Sequence, residues 1–174
     1  MNDWASQLRK RRKPEFSRLM KLYGEIYRQL GLLFDDHDLE FRRYISRVDG
    51  ELPLYLEVTE RHRYTTFARL TYCIETAEGV SLDPDVHLRI YHDAHVAEAT
   101  HCYPGEVNEP LFGALVPSAD VFEYRWRVNG FVDRWLEFLA RQGHGLNTMR
   151  AAEPGEWPEL PAVKVESDQP VSAD

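Results

Sequence analysis

The dipeptide Asp49-Gly50 limits what this chain can become more than any other pair of residues. Flanked by alternating apolar and polar residues, it specifies a two-residue hairpin of type I′, because both central positions need positive φ. Pairing Val48 with Glu51 sets a register in which Ile45 faces Leu54 and Phe41 faces Val58 on one apolar side. On the other side Arg42 meets Glu57 and Tyr44 meets Tyr55, and these cross-strand pairs are mutually consistent.

More strands follow. Thr66–Glu75 puts Ala68, Leu70, Tyr72 and Ile74 on one side, while Leu54, Leu56 and Val58 point inward from the strand before it. Both sets are even-numbered, so one shared face demands an odd loop, of three residues (Arg61–Arg63) or five (Arg61–Thr65). Val86–His92 and His95–His101 make a second hairpin around Asp93-Ala94. Val121–Val128 alternates again, with Phe122, Tyr124, Trp126 and Val128 on one side.

Helices are expected at both ends. Pro14 suits a first helical turn, and Phe16, Leu19, Met20, Tyr23, Tyr27, Leu30 and Phe34 then recur at three- and four-residue steps. That stripe is a core face, not a cofactor site. Asn129 caps a final helix with Phe131, Trp135, Phe138 and Leu139 inward, and Gly143 stops it. The sum is an α+β domain: an N-terminal helix, an antiparallel meander of five or six strands, and a C-terminal helix packed on the sheet.

The single domain is bounded at 14–150. Residues 1–13 read as a flexible basic arm, with Arg9, Lys10, Arg11, Arg12 and Lys13 against Asp3. Residues 151–174 read as a disordered acidic tail with Pro154, Pro158, Pro161 and Pro170, where Trp157 and Leu160 are the possible anchors. A net charge of −8 argues against the whole domain coating nucleic acid, which leaves the basic arm as the place for RNA or a ribosome. No apolar run reaches the ~18 residues that span a membrane, and Met1–Lys13 lacks the apolar stretch of a signal peptide, so the expected compartment is the cytoplasm. Cys73 and Cys102 fit reduced, buried thiols, as neither a disulfide framework nor a zinc spacing is present.

Chemistry concentrates in the second hairpin. Its register places Arg89 across from Glu98, beside Tyr91, as a cross-strand ion pair. His92 and His95 fall on the opposite face, where they suggest proton transfer or metal binding. Two histidines make a poor metal site, so none is expected there. Arg63, Tyr64, Thr65 and Thr66 form a second candidate, able to grip a phosphate or carboxylate through guanidinium and hydroxyl groups. No glycine-rich phosphate cradle and no nucleophile elbow is present.

Arg63-Tyr64-Thr65-Thr66, Arg89-Ile90-Tyr91-His92-Asp93-Ala94-His95-Val96-Ala97-Glu98, Tyr103-Pro104 and Asn129-Gly130-Phe131 through Trp135-Leu136 together resemble the YqiB-like family of small proteobacterial proteins, defined by a domain of unknown function. The resemblance runs from about Pro14 to Gly145 and implies a cytosolic protein without supplying an activity or a cofactor. The leading expectation is therefore a non-enzymatic binding or regulatory protein. Its outer sheet face would hold a protein partner or an anionic small molecule through Arg63, Tyr64, Thr65, Thr66, Arg89, Tyr91 and Glu98. The rival is an enzyme on a phosphate-containing, nucleotide-like metabolite, with His92 as acid/base and Asp93 orienting it. A third reading is RNA or ribosome association through Arg9–Lys13.

Overall fold

A computed structural model describes residues 4–35, 42–103 and 118–159 of the chain. Helix α1 spans Trp4–Leu33, followed by strands β1 (Arg43–Ser46), β2 (Leu54–Arg61), β3 (Thr65–Thr76), β4 (Gly79–Tyr91) and β5 (Val96–Tyr103), helix α2 (Ser118–Arg141) and strand β6 (Met149–Ala151). The strands form one antiparallel sheet in the order β5-β4-β3-β2-β1-β6. Both helices pack on one face, which makes this the expected α+β fold.

The inner face is an apolar layer. Leu54, Leu56, Val58, Ala68, Leu70, Val86, Leu88, Ile90, Ala97 and Ala99 are buried beneath Ile26, Leu30 and Leu33 of α1 and Val132, Leu136 and Leu139 of α2. Removing that much aliphatic surface from water is the main driving force for the fold.

The helix α1 begins ten residues before Pro14 and takes in the basic run read above as an arm. Leu, Arg, Lys and Gln are good helix formers, and their propensity carries the helix upstream of the proline. Its inward stripe is Leu19, Tyr23, Ile26, Leu30 and Leu33, whereas Phe16 is exposed.

Two sequence expectations fail for instructive reasons. Asp49-Gly50 does turn the chain, with Glu51 N–H donating to Val48 C=O at 3.1 Å. Only Gly50 has positive φ (81°), so the turn is not type I′ and the loop between β1 and β2 is longer than two residues. The register moves by one: Arg43 pairs with Glu57, Tyr44 with Leu56, Ile45 with Tyr55 and Ser46 with Leu54. A one-residue slip exchanges the two faces of a strand. Tyr44 therefore enters the core, and Ile45 is buried on the outer side. The pairing expected for Phe41 lies outside the described residues.

Residues 121–128 are the second failure. They belong to α2, not to a strand, so Asn129 is no cap. Its side chain is buried, with Oδ1 accepting from Ala99 N–H at 2.7 Å and Nδ2 donating to Ala99 C=O at 3.3 Å. The period-two alternation of Phe122, Tyr124, Trp126 and Val128 competes with a helical period through Arg125, Asn129, Val132, Leu136 and Leu139, and the helical one wins. Phe138, expected inward, is exposed. Gly143 ends α2 as expected: its φ is 96°, and His144 N–H reaches back to Leu139 C=O at 3.0 Å.

The sheet's sixth strand comes instead from Met149–Ala151, which pairs with β1. The chain beyond it, read as the start of a disordered tail, packs on the outer face through Glu156 and Trp157. There the Trp157 ring meets Tyr55 edge-on at 5.4 Å, and Arg43 lies over it at 5.4 Å. Glu156 takes Arg150 in two bonds of 2.6 and 2.7 Å. Trp157 supplies apolar area and Ile45 needs covering, which offsets the ordering entropy of this segment.

The strand β4 begins at Gly79, seven residues before the expected start, and its first half pairs with the end of β3.

Candidate outer-face binding site

Two loops meet at one end of the sheet. Between β2 and β3 a bulge at Thr59 leaves a loop of His62–Tyr64, so Val58 pairs with Ala68 as the five-residue option requires while the loop itself has three residues. Between β4 and β5, Tyr91 pairs with Val96, and His92–His95 form the turn. The loops are tied together by His92 N–H donating to Tyr64 C=O at 2.9 Å.

The expected Arg89–Glu98, Ile90–Ala97 and Leu88–Ala99 pairs are all present. The carboxylate of Glu98 is buried and sits between two guanidiniums, 3.8 Å from Arg89 and 3.9 Å from Arg125. Tyr91 bridges the first gap, accepting from Arg89 at 3.3 Å and donating to Glu98 at 3.1 Å. Tyr23 of α1 lies near the same carboxylate, and burial, then Glu98, pushes its hydroxyl up to about 12.

Aromatic rings set the direction of the cations. Arg89 lies over Phe67 at 5.1 Å, His62 meets the same ring edge-on at 5.9 Å, and Arg63 lies over Tyr64 at 4.9 Å. A guanidinium held flat on a ring keeps its N–H edge for other partners. Tyr64 and Arg63 are exposed, and the Arg89 side chain retains 39% of its accessible surface.

Other candidates are placed elsewhere. Thr66 is buried on the inner side, where its hydroxyl meets His92 Nε2 at 2.8 Å, so it stands apart from Arg63, while the half-buried Thr65 accepts from His62 N–H through its carbonyl. Asp93 accepts from Ala94 N–H at 3.0 Å, and His95, at φ 51°, meets Tyr27 edge-on at 5.5 Å. His92 and His95 thus have separate local partners and do not form a pair. Among the described residues no group of three His, Cys, Asp or Glu is arranged to hold a metal ion. A cleft of about 300 Å³ lies between the helices, lined by Leu32, Leu33, Leu136 and His144 and by none of the candidate residues.

Sequence reasoning missed the centre of the outer face. Arg43, Glu57, Arg69, His87 and His101 lie in one cross-strand row, brought into line by a bulge that leaves His87 opposite His101 and not Thr100. Arg69 is buried and holds Asp85 in two bonds of 2.7 and 2.6 Å. Burial pushes the Asp85 carboxyl up, but Arg69 and His87 outweigh it and hold it below the usual carboxylate value. No stretch of the sequence signals this set, because each strand contributes one member and the row exists only once the registers are known.

These features define a small sheet protein with a helix-covered apolar face and an outer face of paired charges ending in a cationic, aromatic loop region. The chain belongs to the family described as Protein of unknown function (DUF1249), which matches residues 29–145, from within α1 to just past α2. No curated protein and no solved structure matches it. Among the described residues no helix is long and apolar enough to cross a membrane.

Proposed function

We propose that this chain is a cytosolic, non-enzymatic binding protein that docks an anionic group of a partner at the loop end of its outer sheet face. The observation that carries this reading is a charge imbalance: Arg89 and Arg125 share the single carboxylate of Glu98, with both separations near the 4 Å limit of an ion pair. The adjacent Arg63 is exposed and stacked on Tyr64. Arg63, Tyr64, Arg89 and Tyr91 are the contacts, and Glu98 positions Arg89. A flat surface of guanidinium and aromatic groups suits a protein segment bearing carboxylates or phosphates. The half-buried Cys73 and Cys102 are both free thiols, which fits a reducing compartment. The narrower YqiB-like grouping rests on Arg89–Glu98 and belongs to the same reading.

Affinity capture from cell extract with the wild-type chain, Arg63→Ala and Arg89→Ala tests it. A protein recovered by the wild type and lost from both variants, at unchanged melting temperature, supports the assignment. Equal recovery by all three removes these residues from the claim.

A further inference from the structure

Residues 149–159 sit on the sheet as a bound peptide would. Met149–Ala151 extends the β1 edge, with Ser46 opposite Met149 and Tyr44 opposite Ala151, and Ala152 N–H donates to Arg43 C=O at 3.0 Å. A Pro154-Gly155 turn, closed by Glu156 N–H on Glu153 C=O at 3.1 Å, then leads onto the outer face. There the Glu156 carboxylate lies 3.7 Å from Arg47, just past β1. The Trp157 ring enters between Tyr55, edge-on at 5.4 Å, and the Arg43 guanidinium, also at 5.4 Å. The seat is firm, because Tyr55 and its strand partner Ile45 are both buried. Its occupant is held lightly. The strand β6 has three residues, Trp157 is half-buried, and the ion pairs of Glu156 go to Arg47 and Arg150 side chains that are about half exposed, where such pairs contribute little. An element with so few buried contacts opens more readily than the sheet beneath it. The family match divides the two in the same way, since residues 29–145 contain the seat and not the occupant.

We propose that the β1 edge and the Tyr55–Arg43 platform form a docking groove for a partner protein, and that residues 149–159 close it from within the same chain. The partner enters as an extended segment that pairs with β1 and carries an acidic residue directly before a tryptophan. Pairing at the strand edge supplies affinity. A ring between Tyr55 and Arg43, preceded by a carboxylate at Arg47, supplies selectivity. Closure from within lowers the apparent affinity of an outside segment by the fraction of chains that are open. It also covers an edge that would otherwise accept extended chains without discrimination. The groove uses none of Arg63, Tyr64, Arg89 or Tyr91, so it stands or falls apart from the docking reading above.

A synthetic peptide of residues 147–159 is the probe, added unlabelled to the isotope-labelled full chain and followed by amide resonances. The expected result is that the chain's own resonances for 149–159 move to free-peptide positions while those of β3 and β4 stay in place. The peptide carrying Trp157→Ala should bind about tenfold more weakly, and the one carrying Glu156→Gln about threefold. In the full chain Trp157→Ala removes the anchor of the internal competitor and should tighten binding of the unaltered peptide about tenfold. Arg43→Ala, at an exposed side chain, should weaken that binding at unchanged melting temperature. Displacement from the wild-type chain needs no variant, so the test stands even where Trp157→Ala unfolds. A wild-type chain that keeps its own segment in place at millimolar peptide overturns the proposal. So does a folded Trp157→Ala chain that binds the peptide no better than the wild type, which would leave 149–159 a structural strand. Equal binding of the unaltered and Trp157→Ala peptides overturns the assigned chemistry. A concentration-dependent dimer of the full chain that the peptide dissolves makes a second copy the occupant and overturns the partner assignment.

Discussion

On the inner face of the sheet Tyr44, Leu56, Leu70, Val86 and Cys102 form one cross-strand row, and the neighbouring row on the outer face is Arg43, Glu57, Arg69, His87 and His101. The strands and the connections are the same, but the two rows are held by different physics. Inner residues contribute by leaving water and filling space, so each is replaceable by another apolar group of similar volume. Outer residues contribute only as partners. Arg69 and Asp85 each cost several kcal/mol to bury alone, and together they roughly offset that cost. A substitution on the inner face leaves a hole, whereas one on the outer face leaves an orphaned charge.

That contrast can be broken by mutation. Leu70→Ala should cost about 4 kcal/mol in urea unfolding, as a fully buried leucine at the centre of the sheet. Asp85→Ala should cost slightly less, about 3 kcal/mol, by stranding the Arg69 guanidinium. The double variant Arg69→Met with Asp85→Leu should recover most of that loss. If it is as unstable as Asp85→Ala, the outer pair is doing more than cancelling itself. Asn129→Ala should cost about 2 kcal/mol, because Ala99 N–H and C=O both lose their partner.

Acid sharpens the same comparison. The folded-state pKa of Asp85 is depressed, so its contribution to stability is present above the unfolded carboxylate value near 3.9 and is lost as pH falls through the folded value. Unfolding midpoints followed from pH 6 to 2 should fall less steeply in Asp85→Asn than in the wild type, while Leu70→Ala keeps the wild-type slope. The smallest effect belongs to the loop end. Arg63→Ala should change stability by less than about 0.5 kcal/mol while abolishing partner capture, since Arg63 is exposed and lies over the ring of its neighbour Tyr64.

Local sequence signals were enough where one pattern acted alone. The β4–β5 pairing of Arg89 with Glu98 and the end of α2 at Gly143 follow from alternation and a helix-stop glycine. They were not enough where two patterns overlapped. Ile45 and Tyr44 are both apolar enough to face the core, so local pattern left the register of β1 open. The outer side that receives Ile45 is the one on which Trp157, more than a hundred residues away, packs against Tyr55. Residues 121–128 satisfied both a period of two and a helical period, and they continue the helix whose buried face runs through Asn129, Val132, Leu136 and Leu139. The outer charged row was illegible for a third reason. It exists only when four strand registers and one bulge are combined, and no segment of the sequence contains more than two of its members.

The amide of Asn129 has a consequence beyond the energy of its bonds. An edge strand offers unpaired backbone groups to any other extended chain, and β5 is one of the two edges of this sheet. By occupying both polar groups of Ala99, one side chain blocks the middle of that edge, and the opposite edge is a strand of only three residues. Among the described residues the sheet is therefore terminated at both ends. In an Asn129→Ala chain the first visible defect should be self-association along β5, seen as concentration-dependent growth in light scattering before any loss of secondary structure.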